Sequence, residues 1–264
     1  MSVRPHDVDI KPLIGGCSKC QSLAGNELAI DMAFQPIFDL RNDNVYGYEA
    51  LVRGPSGEDA QSVLSQVNDT NCHQFDQIVR VLAVKKAVSL GLLDGDAKLS
   101  INFMPRAVID AKRCLKHVIE VARDVDLPFE RIIFEFTEDE RVDKAQARRI
   151  SSVYRQYGFL TALDDFGSGF AGLVTLADIS TDLVKVDMDL IRRVDQEVER
   201  YRIVEAVVRM LNDIGRTVAI EGIETAGELA AVRRLGVQYA QGYFLGRPSL
   251  SALQCEPDYI DCAA

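Results

Sequence analysis

Residues 131–187 contain three short runs rich in β-branched and aromatic residues: RIIFEF (131–136), FLTALDDF (159–166) and DLVKVD (182–187). Runs of this length and composition are typical of β-strands. A charged segment, residues 140–157, predicts a helix between the first two, and residues 173–179 predict a short helix or turn before the third. Strands that alternate with helices in this way indicate an α/β fold with a mostly parallel sheet.

The same alternation continues on both sides of this stretch. Additional strands are predicted at KLSINF (98–103), RTVAIE (216–221) and GVQYA (236–240), and additional helices at residues 73–91, 106–124, 189–213 and 224–235. The connections between these segments are short, and no linker or low-complexity run interrupts them after residue 30.

The first two strand-like runs predict a different arrangement from the others. MAFQPIF (32–38) and VYGYEALVR (45–53) are separated by a short segment rich in Asp and Asn, residue types that favour a hairpin turn. This pair is therefore expected to run antiparallel. Eight strands in 264 residues suit one (β/α)8 barrel, which typically takes ~250 residues, although two small domains have the same length.

Polar residues suited to metal binding lie in or beside six of these strand-like runs. They are Glu49, Asn102, Glu135, the pair Asp164-Asp165, Lys185 and Glu221. Barrel enzymes place their catalytic groups at the carboxyl ends of the strands, all at one rim of the barrel. The repeated placement therefore predicts one shared site, whereas a single carboxylate of this kind is more often a solvated loop residue or a member of a structural ion pair.

The residue types indicate a hard, all-oxygen metal site. Glu49, Asn102, Glu135 and Asp164 offer three carboxylates and one amide oxygen, which suit magnesium or manganese better than zinc. Asp165 is expected to help hold a second ion, and two ions ~3.5–4 Å apart are a known arrangement for displacement at phosphorus.

Lys185 and Glu221 are expected to complete this site. Lys185 is a cation that can orient a water molecule or offset developing charge, and Glu221 can reach the second ion directly or through water. Two structural alternatives stay open: Asn102 caps the turn before Pro105, or Lys185 is simply the buried partner of Asp187.

A glycine pattern follows the fifth strand-like run. Gly167, Gly169 and Gly172 form GxGxxG, a spacing found in dinucleotide-binding loops. Here it would aim Asp164 and Asp165 at a pyrophosphate, which requires positive potential. A flexible loop beside a metal site is the better interpretation.

The overall charge and composition restrict the class of ligand and the compartment. The formal net charge of −10 disfavours a role in coating DNA or RNA, but a small phosphate ligand is compatible when cations bridge the like charges. No run approaches the ~20 apolar residues of a membrane span. The first 30 residues lack a signal-peptide core, so the cytoplasm is the expected compartment.

The N-terminal segment, residues 1–30, predicts a polar extension that contains a CxxC pair, Cys17 and Cys20. This spacing occurs in zinc and redox sites, but a structural zinc needs two more ligands, which Cys255 and Cys262 can supply. The alternative is a set of unpaired thiols in a reducing compartment. The remaining residues, 31–264, are predicted to form a single domain.

Several motifs together resemble the EAL domain of cyclic-di-GMP phosphodiesterases. These are FQPI (34–37), YEALVRG (48–54), Asn102-Phe103, EFTE (135–138), DDFGSG (164–169), KVD (185–187), EGIE (221–224) and QGYFLGRP (241–248), in the order that the family has them. The resemblance covers roughly residues 30–250. It implies a modified TIM (β/α)8 barrel with one antiparallel strand near the N-terminus, and hydrolysis of cyclic di-GMP to linear pGpG with magnesium or manganese.

The resemblance also implies individual roles. Glu49, Asn102, Glu135 and Asp164 match ligands of the first metal, and Asp164 with Asp165 matches ligands of the second. Lys185 matches the residue that positions the attacking water, and Glu221 and Gln241 match its second-metal and water network. The positions that match substrate contacts are Gln35, Leu51 and Arg53. Glu138 matches the residue that anchors the DDFGSG loop, which links the active site to dimerisation in this family.

The resemblance leaves two other functions open. Some family members bind cyclic di-GMP without hydrolysing it and signal through a partner protein, although these usually lack one or more metal-site groups that this chain keeps. A different metal-dependent barrel enzyme is disfavoured by the matching FQPI and QGY motifs. A homodimer is expected from the family, and the cysteine pair is a candidate redox or metal switch.

Overall fold

The structure is a computed structural model that describes residues 29–137, 144–169 and 172–258. Its eight strands close into a single barrel in chain order, each strand paired with the one before and the one after it. Helices follow most of the strands and surround the barrel. The predicted modified (β/α)8 barrel is therefore confirmed.

The strands are β1 (Asp31–Asp39), β2 (Asn44–Arg53), β3 (Lys98–Asn102), β4 (Ile132–Thr137), β5 (Leu160–Phe166), β6 (Leu183–Val186), β7 (Thr217–Ile220) and β8 (Tyr239–Ala240). The α-helices in the described residues are α1 (Ala60–Leu64), α2 (Cys72–Ser89), α3 (Ala111–Cys114), α4 (Lys116–Asp124), α5 (Lys144–Gln156), α6 (Gly172–Asp178), α7 (Met188–Ile191), α8 (Val198–Asp213) and α9 (Ala226–Arg234).

Strand β1 runs antiparallel to both of its neighbours, β2 and β8, while the other neighbouring strands pair in parallel. The turn between β1 and β2 is held by the Asp39 carboxylate, which accepts the backbone N–H groups of Arg41 at 2.9 Å and Asn42 at 3.4 Å. Asp43 adopts a left-handed φ of 49°, which Asp tolerates better than most residues. The predicted antiparallel hairpin is confirmed, and its turn uses the Asp and Asn residues that predicted it.

The barrel wall separates two apolar regions. A large core lies between the strands and the outer helices, and in it the rings of Phe103, Phe134, Tyr154 and Phe159 contact one another. Inside the barrel, a small buried cluster consists of Ile133, Ala162, Leu183 and Ala219. Residues of one strand alternate between these two regions because successive side chains point to opposite faces.

Two predicted helices are broken in the structure, so their prediction as single helices was wrong. The first, over residues 106–124, is a 3₁₀ turn at Pro105–Ala107 followed by α3 and α4. The Asp110 carboxylate accepts the N–H groups of Lys112 and Arg113 and thereby begins a new helix at Ala111. The apolar pattern does not reveal this new start, because the buried residues Cys114, Val118 and Ala122 keep a helical spacing of four through α3 and α4.

The second broken helix was predicted over residues 189–213 and consists of α7 and α8. Arg193, between them, has a left-handed φ of 62°, which a right-handed helix cannot contain. The last strand is also shorter than predicted, since only Tyr239 and Ala240 form strand pairs. No helix in the described ranges has the length and apolar composition needed to cross a lipid bilayer.

Candidate active site

A layer of charged side chains lies directly above the small apolar cluster inside the barrel. Each residue of that cluster is followed two positions later by a charged residue: Glu135 after Ile133, Asp164 after Ala162, Lys185 after Leu183 and Glu221 after Ala219. Two positions is the period of a strand, so both layers face the barrel interior. The register brings Asn102 beside Glu135 and places the charged layer at the carboxyl ends of the strands.

The Lys185 ammonium lies at the centre of this layer. Its Nζ is 3.1 Å from Glu49 Oε2, 3.0 Å from Glu135 Oε2, 3.2 Å from Asp164 Oδ1 and 2.7 Å from Glu221 Oε1. The Lys185 side chain is only 1 % exposed. The structural alternative in which Lys185 pairs with Asp187 is not what the structure shows: its partners are four carboxylates of the predicted site.

The carboxylates form two groups that share Asp164. Ligand oxygens of Glu49, Glu135 and Asp164 lie within 4.8 Å of one another, and so do those of Asp164, Asp165 and Glu221. Each group is a hard oxygen donor set of the kind that Mg²⁺ or Mn²⁺ prefers. Two such groups with one common member fit a pair of divalent cations, with Asp164 able to serve both.

Asn102 lies at the first of these groups. Its Nδ2 donates to Glu49 Oε1 at 2.9 Å, so its Oδ1 is the atom that it can offer to a cation. This contact favours a role for Asn102 in the carboxylate site over the alternative in which it caps the turn before Pro105. The other Glu135 oxygen, Oε1, accepts from the Ser100 hydroxyl, which fixes that carboxylate from below.

Asp164 and Asp165 reach one site because the chain leaves the strand conformation at Asp165. Adjacent residues of a regular strand point to opposite faces. Asp165, however, has a left-handed φ of 55°, and the pairing register between β5 and β6 shifts between Leu163 and Phe166. The Asp165 N–H donates to Asp164 Oδ1 at 3.0 Å. This local turn lets two consecutive carboxylates act together, and the glycines of the DDFGSG loop follow it.

Burial and mutual repulsion raise the pKa values of most of these acids. The pKa of Glu135 is raised to about 8, by burial and by Glu49 and Asp164 against the opposing effect of Lys185. The pKa of Asp165 is raised to about 6, by burial and then by Asp164. Burial, followed by the charge of Asp164, raises the pKa of Glu221 well above its usual value.

Glu49 and Lys185 are shifted toward their charged forms. Burial acts to raise the pKa of Glu49, but Lys185 and hydrogen bonds from Gln241, Lys185 and Asn102 outweigh it and lower that pKa. Burial likewise opposes the charge of Lys185, yet the surrounding carboxylates raise its pKa well above the usual value. The site therefore holds more acids than one ammonium can neutralise, which is the electrostatic condition for binding divalent cations.

A chain of amide contacts connects Glu49 on β2 with Gln35 on the adjacent β1 and with Gln241, which directly follows β8. Gln241 Nε2 donates to Glu49 Oε2 at 2.7 Å and to Gln35 Oε1 at 3.0 Å, and Gln35 Nε2 donates to Gly246 O at 3.0 Å. Gln241 Oε1 is buried and has no hydrogen-bond partner among the described residues. A buried acceptor of this kind requires a donor, and water or a ligand N–H can supply one.

A cavity of about 270 Å³ opens beside the charged layer. It is lined by predicted site residues (Gln35, Glu49, Asp165, Glu221 and Gln241) and by residues that were not predicted as site residues (Asp187, Met188, Arg192, Gly222, Glu224, Gly242 and Tyr243), although all of these except Met188 and Arg192 lie in the quoted family motifs. The latter follow β6, β7 and β8 by one to six residues, so the signal that could have found them is proximity to a strand end. Ser100 was also missed, although it lies two positions before Asn102 on the same face of β3.

The remaining predicted residues lie near this rim or outside the described residues. Leu51 and Arg53 follow Glu49 by two and four positions on β2, which puts them on the same face of that strand. Arg53 Nη1 donates to the carbonyl of Val52 at 2.8 Å. Glu138, Cys17, Cys20 and Cys262 lie outside the described residues, and Cys255 is an exposed free cysteine. The zinc site and the domain boundary at residue 30 stay predictions.

Comparison with known proteins identifies the family. The EAL domain model matches residues 21–248. The crystal structure of a standalone versatile EAL protein from Vibrio cholerae O395, in its c-di-GMP-bound form, has a TM-score of 0.84 and 42 % identity, covering 89 % of this chain and 99 % of that one. The manganese and cyclic di-GMP complex of Klebsiella pneumoniae BlrP1 at pH 9.0 has a TM-score of 0.80 and 29 % identity, covering 89 % and 60 %.

The chain therefore belongs to the EAL domain family. Among curated relatives, the probable cyclic di-GMP phosphodiesterase PdeG of Escherichia coli is 32 % identical over 227 residues, which cover 81 % of this chain and 44 % of that protein. The blue light- and temperature-regulated antirepressor BluF of Escherichia coli is 27 % identical over 223 residues, which cover 84 % and 55 %. The chain thus spans about half the length of these two relatives.

The raised acid pKa values predict how stability depends on pH when a chelator removes divalent cations. The folded pKa of Glu135 is about 8 against an ordinary 4.5, and that of Asp165 is about 6 against 3.8. At a pH between the ordinary and the folded pKa of each acid, the folded chain binds more protons than the unfolded chain. The free energy of unfolding should therefore fall as pH rises from about 5 to about 8. Urea unfolding in EDTA at four pH values measures this.

The matched control is Glu135→Gln, which keeps the size of the side chain and cannot lose a proton. Its free energy of unfolding should fall less across the same interval. A wild-type profile parallel to that of the variant would contradict the assignment of the pH dependence to Glu135.

The contacts of Lys185 predict how Mn²⁺ changes the thermal stability of the protein. Lys185→Met removes the cation that four carboxylates share, which should destabilise the chelated protein by roughly 3–5 kcal/mol, the usual cost of breaking a buried ion pair. Added Mn²⁺ restores positive charge, so the rise in Tm on adding Mn²⁺ should be larger in Lys185→Met than in the wild type. Differential scanning calorimetry with and without Mn²⁺ tests this.

Lys98→Met is the control, because Lys98 lies at the start of β3, where its ammonium is 5.2 Å from the centre of the Tyr46 ring. Its response to Mn²⁺ should equal that of the wild type. An equal response in the Lys185 and Lys98 variants would mean that the cation does not bind at the charged layer.

Proposed function

We propose that this chain hydrolyses cyclic di-GMP to linear pGpG with two divalent cations, magnesium or manganese. The observation that carries the proposal is the pair of carboxylate groups that share Asp164, at the carboxyl ends of the strands in an EAL-family barrel. Relatives named as cyclic di-GMP phosphodiesterases and structural neighbours with bound cyclic di-GMP support the substrate. Every ligand position that the motifs predict keeps its ligand in this chain.

The metal ligands divide between the two carboxylate groups. Glu49, Asn102, Glu135 and Asp164 would hold the first cation, and Asp164, Asp165 and Glu221 would hold the second. When bound, the two cations supply Lewis-acid activation of a water and neutralise charge on the phosphodiester. The donor atoms are held in place by neighbours: Ser100 fixes Glu135, Asn102 and Gln241 fix Glu49, and the turn at Asp165 fixes the shared aspartate.

Lys185 acts on the water and on the charge that develops at phosphorus. Its pKa is raised by the surrounding carboxylates, so it remains an ammonium at neutral pH and donates hydrogen bonds. From the centre of the layer it can orient an oxygen that attacks in line and stabilise the extra negative charge of the transition state. Gln241 Oε1, which is buried without a partner in the part of the chain that the structure describes, can accept a hydrogen bond from the same water network.

Arg53, Leu51 and Gln35 are proposed to contact the substrate beside this centre. Arg53 offers a guanidinium suited to a phosphate, and Leu51 offers apolar contact from the same strand face. Gln35 uses both ends of its amide within the protein, since it donates to Gly246 O and accepts from Gln241. Each bond uses only one of the two N–H donors and one of the two lone pairs of the amide, so Gln35 can contact a guanine base while these bonds hold its orientation. Glu138 is proposed to anchor the DDFGSG loop.

A binding-only effector is the second candidate function. The relative BluF, named an antirepressor, favours it, because that name describes action on another protein rather than on a small molecule. The same residues would then bind cyclic di-GMP, and a regulatory partner protein would bind the ligand-bound and ligand-free forms of the chain with different affinity. A homodimer, a cytoplasmic location and a redox or metal switch at Cys17 and Cys20 also stay predictions.

The test is incubation with cyclic di-GMP and Mn²⁺, followed by chromatographic separation of the nucleotides. The wild type should release pGpG, and Glu49→Ala should be slower by at least about a hundredfold, because even second-layer changes around a metal cost ten- to a hundredfold. Glu199→Ala, an exposed glutamate on α8, should keep the wild-type rate.

Each alternative result has a distinct meaning. If the chain binds cyclic di-GMP but leaves it intact, the effector function is favoured over the enzyme. If neither binding nor turnover occurs, the substrate is wrong. Turnover that survives in Glu49→Ala would remove this glutamate from the metal site.

A further inference from the structure

Helix α2, on the outside of the barrel, carries a buried ion pair that the proposed mechanism does not use. Asp76 is 2 % exposed and Arg80 is fully buried. Asp76 Oδ2 lies 2.7 Å from Arg80 Nη2, one helical turn away. Charged residues are rarely buried so completely, and removing one partner of such a pair is costly. The placement of this pair therefore needs a structural explanation.

Arg80 is fixed by aromatic rings and by helix α5. Its guanidinium carbon lies 5.1 Å from the centre of the Phe103 ring, 5.2 Å from that of Phe134 and 5.6 Å from that of Tyr154. Its Nη1 donates to the Tyr154 hydroxyl at 2.6 Å. These contacts leave the Arg80 side chain little freedom, so Asp76 is held in one orientation by its ion pair.

The second oxygen of Asp76 holds the backbone just beyond the metal site. Asp76 Oδ1 accepts the N–H of Met104 at 2.9 Å. Met104 follows Asn102 by two residues, and between them the N–H of Phe103 donates to the carbonyl of Glu135 at 3.0 Å. The place where β3 ends, and with it the direction of Asn102, is thus fixed by one bond to a neighbouring strand and one to Asp76.

Two further side chains hold the same segment, residues 103–108, which we call the β3 exit segment. His73 Nδ1, from α2, lies 2.7 Å from the carbonyl oxygen of Ala107. Gln146 Nε2, from α5, donates to the carbonyls of Pro105 at 3.3 Å and Val108 at 2.9 Å. Outer helices on two sides therefore contact the backbone that leaves the charged layer.

We propose that Asp76 is a positioning residue for metal binding, acting through the Met104 N–H to hold Asn102 at the first cation site. The proposal rests on the proposed function, since it concerns the same cations. The two Asp76 oxygens have different partners: Oδ2 forms the ion pair with Arg80, and Oδ1 accepts the Met104 N–H and so fixes the β3 exit segment.

The two tasks can be separated by a matched pair of double variants. Replacing a buried ion pair by uncharged residues of similar size is often neutral, so Arg80→Met is combined with each change at Asp76. Asp76→Asn with Arg80→Met keeps an oxygen that accepts the Met104 N–H. Asp76→Leu with Arg80→Met has nearly the same size and shape at residue 76 but leaves that N–H unpaired. Neither variant keeps Oδ2, which accepts from Gln77 Nε2 at 3.3 Å, so the loss of that bond is common to both and the acceptor of the Met104 N–H distinguishes them.

The experiment measures Mn²⁺ affinity by calorimetric titration of the full chain, with no substrate present. The Asn variant should bind Mn²⁺ within about twofold of the wild type, and the Leu variant about tenfold more weakly, as expected for a residue that orients a metal ligand. Hydrogen exchange at the Met104 amide should be faster in the Leu variant alone. At saturating Mn²⁺ the two variants should have the same KM for cyclic di-GMP.

Equal Mn²⁺ affinity in the two double variants would overturn the proposal and leave Asp76 as a partner of Arg80 alone. If neither variant folds, hydrogen exchange of the wild type takes their place. Mn²⁺ should slow exchange at the Met104 amide, because the cation and Asp76 would hold the same segment through Asn102 and Met104. Unchanged exchange at this amide on saturation with Mn²⁺ would overturn the proposal. A wild type that binds Mn²⁺ without turning over cyclic di-GMP would refute the proposed hydrolysis but leave this comparison valid.

Discussion

The interaction on which this structure depends is the contact of one buried ammonium with four carboxylates. Lys185 Nζ lies between 2.7 and 3.2 Å from acids on β2, β4 and β5 and from Glu221, which directly follows β7. Such a group is expensive to bury, since each charge loses its hydration and the acids repel one another. It persists because the barrel fixes all five side chains from separate strands, so none of them can move apart without disturbing the sheet. The same excess of negative charge is what makes the site suitable for divalent cations.

The alternation of side chains along each strand produces this arrangement, and one local turn at Asp165 adds a further carboxylate to it. Small and branched residues fill the interior at Ile133, Ala162, Leu183 and Ala219, and the next inward position on each strand carries a charge. A regular strand would place only one of the two adjacent aspartates on this layer. The left-handed turn at Asp165 brings in the second, and a shared Asp164 becomes a member of two donor groups.

The fold and the charged layer could be predicted because both arise from local patterns. Short apolar runs that end on polar residues predict strands, and the closure of eight of them places their ends together. The EAL family motifs then added Gln241, which no strand pattern selected. Broken helices could not be predicted in this way, because Asp110 and Arg193 change the direction of the chain without changing the apolar pattern on either side.

Contacts between residues distant in sequence also escaped the sequence analysis. Nothing in the pattern of α2 indicates that Asp76 accepts the Met104 N–H, since the bond depends on how the helix packs against β3. The positions of Met188 and Arg192 at the cavity depend similarly on the path of the loop after β6. The sequence does locate Ser100, in retrospect, because it shares the inward face of β3 with Asn102.

The charged layer is proposed to hold two cations that share Asp164. Anomalous diffraction from crystals of the full chain grown with Mn²⁺, recorded near the manganese absorption edge, tests it most directly. Two peaks are expected inside the barrel mouth, each about 2 Å from an Asp164 oxygen, the distance typical of carboxylate ligands of small divalent cations. A single peak, or two peaks of which one lies away from Asp164, would contradict it.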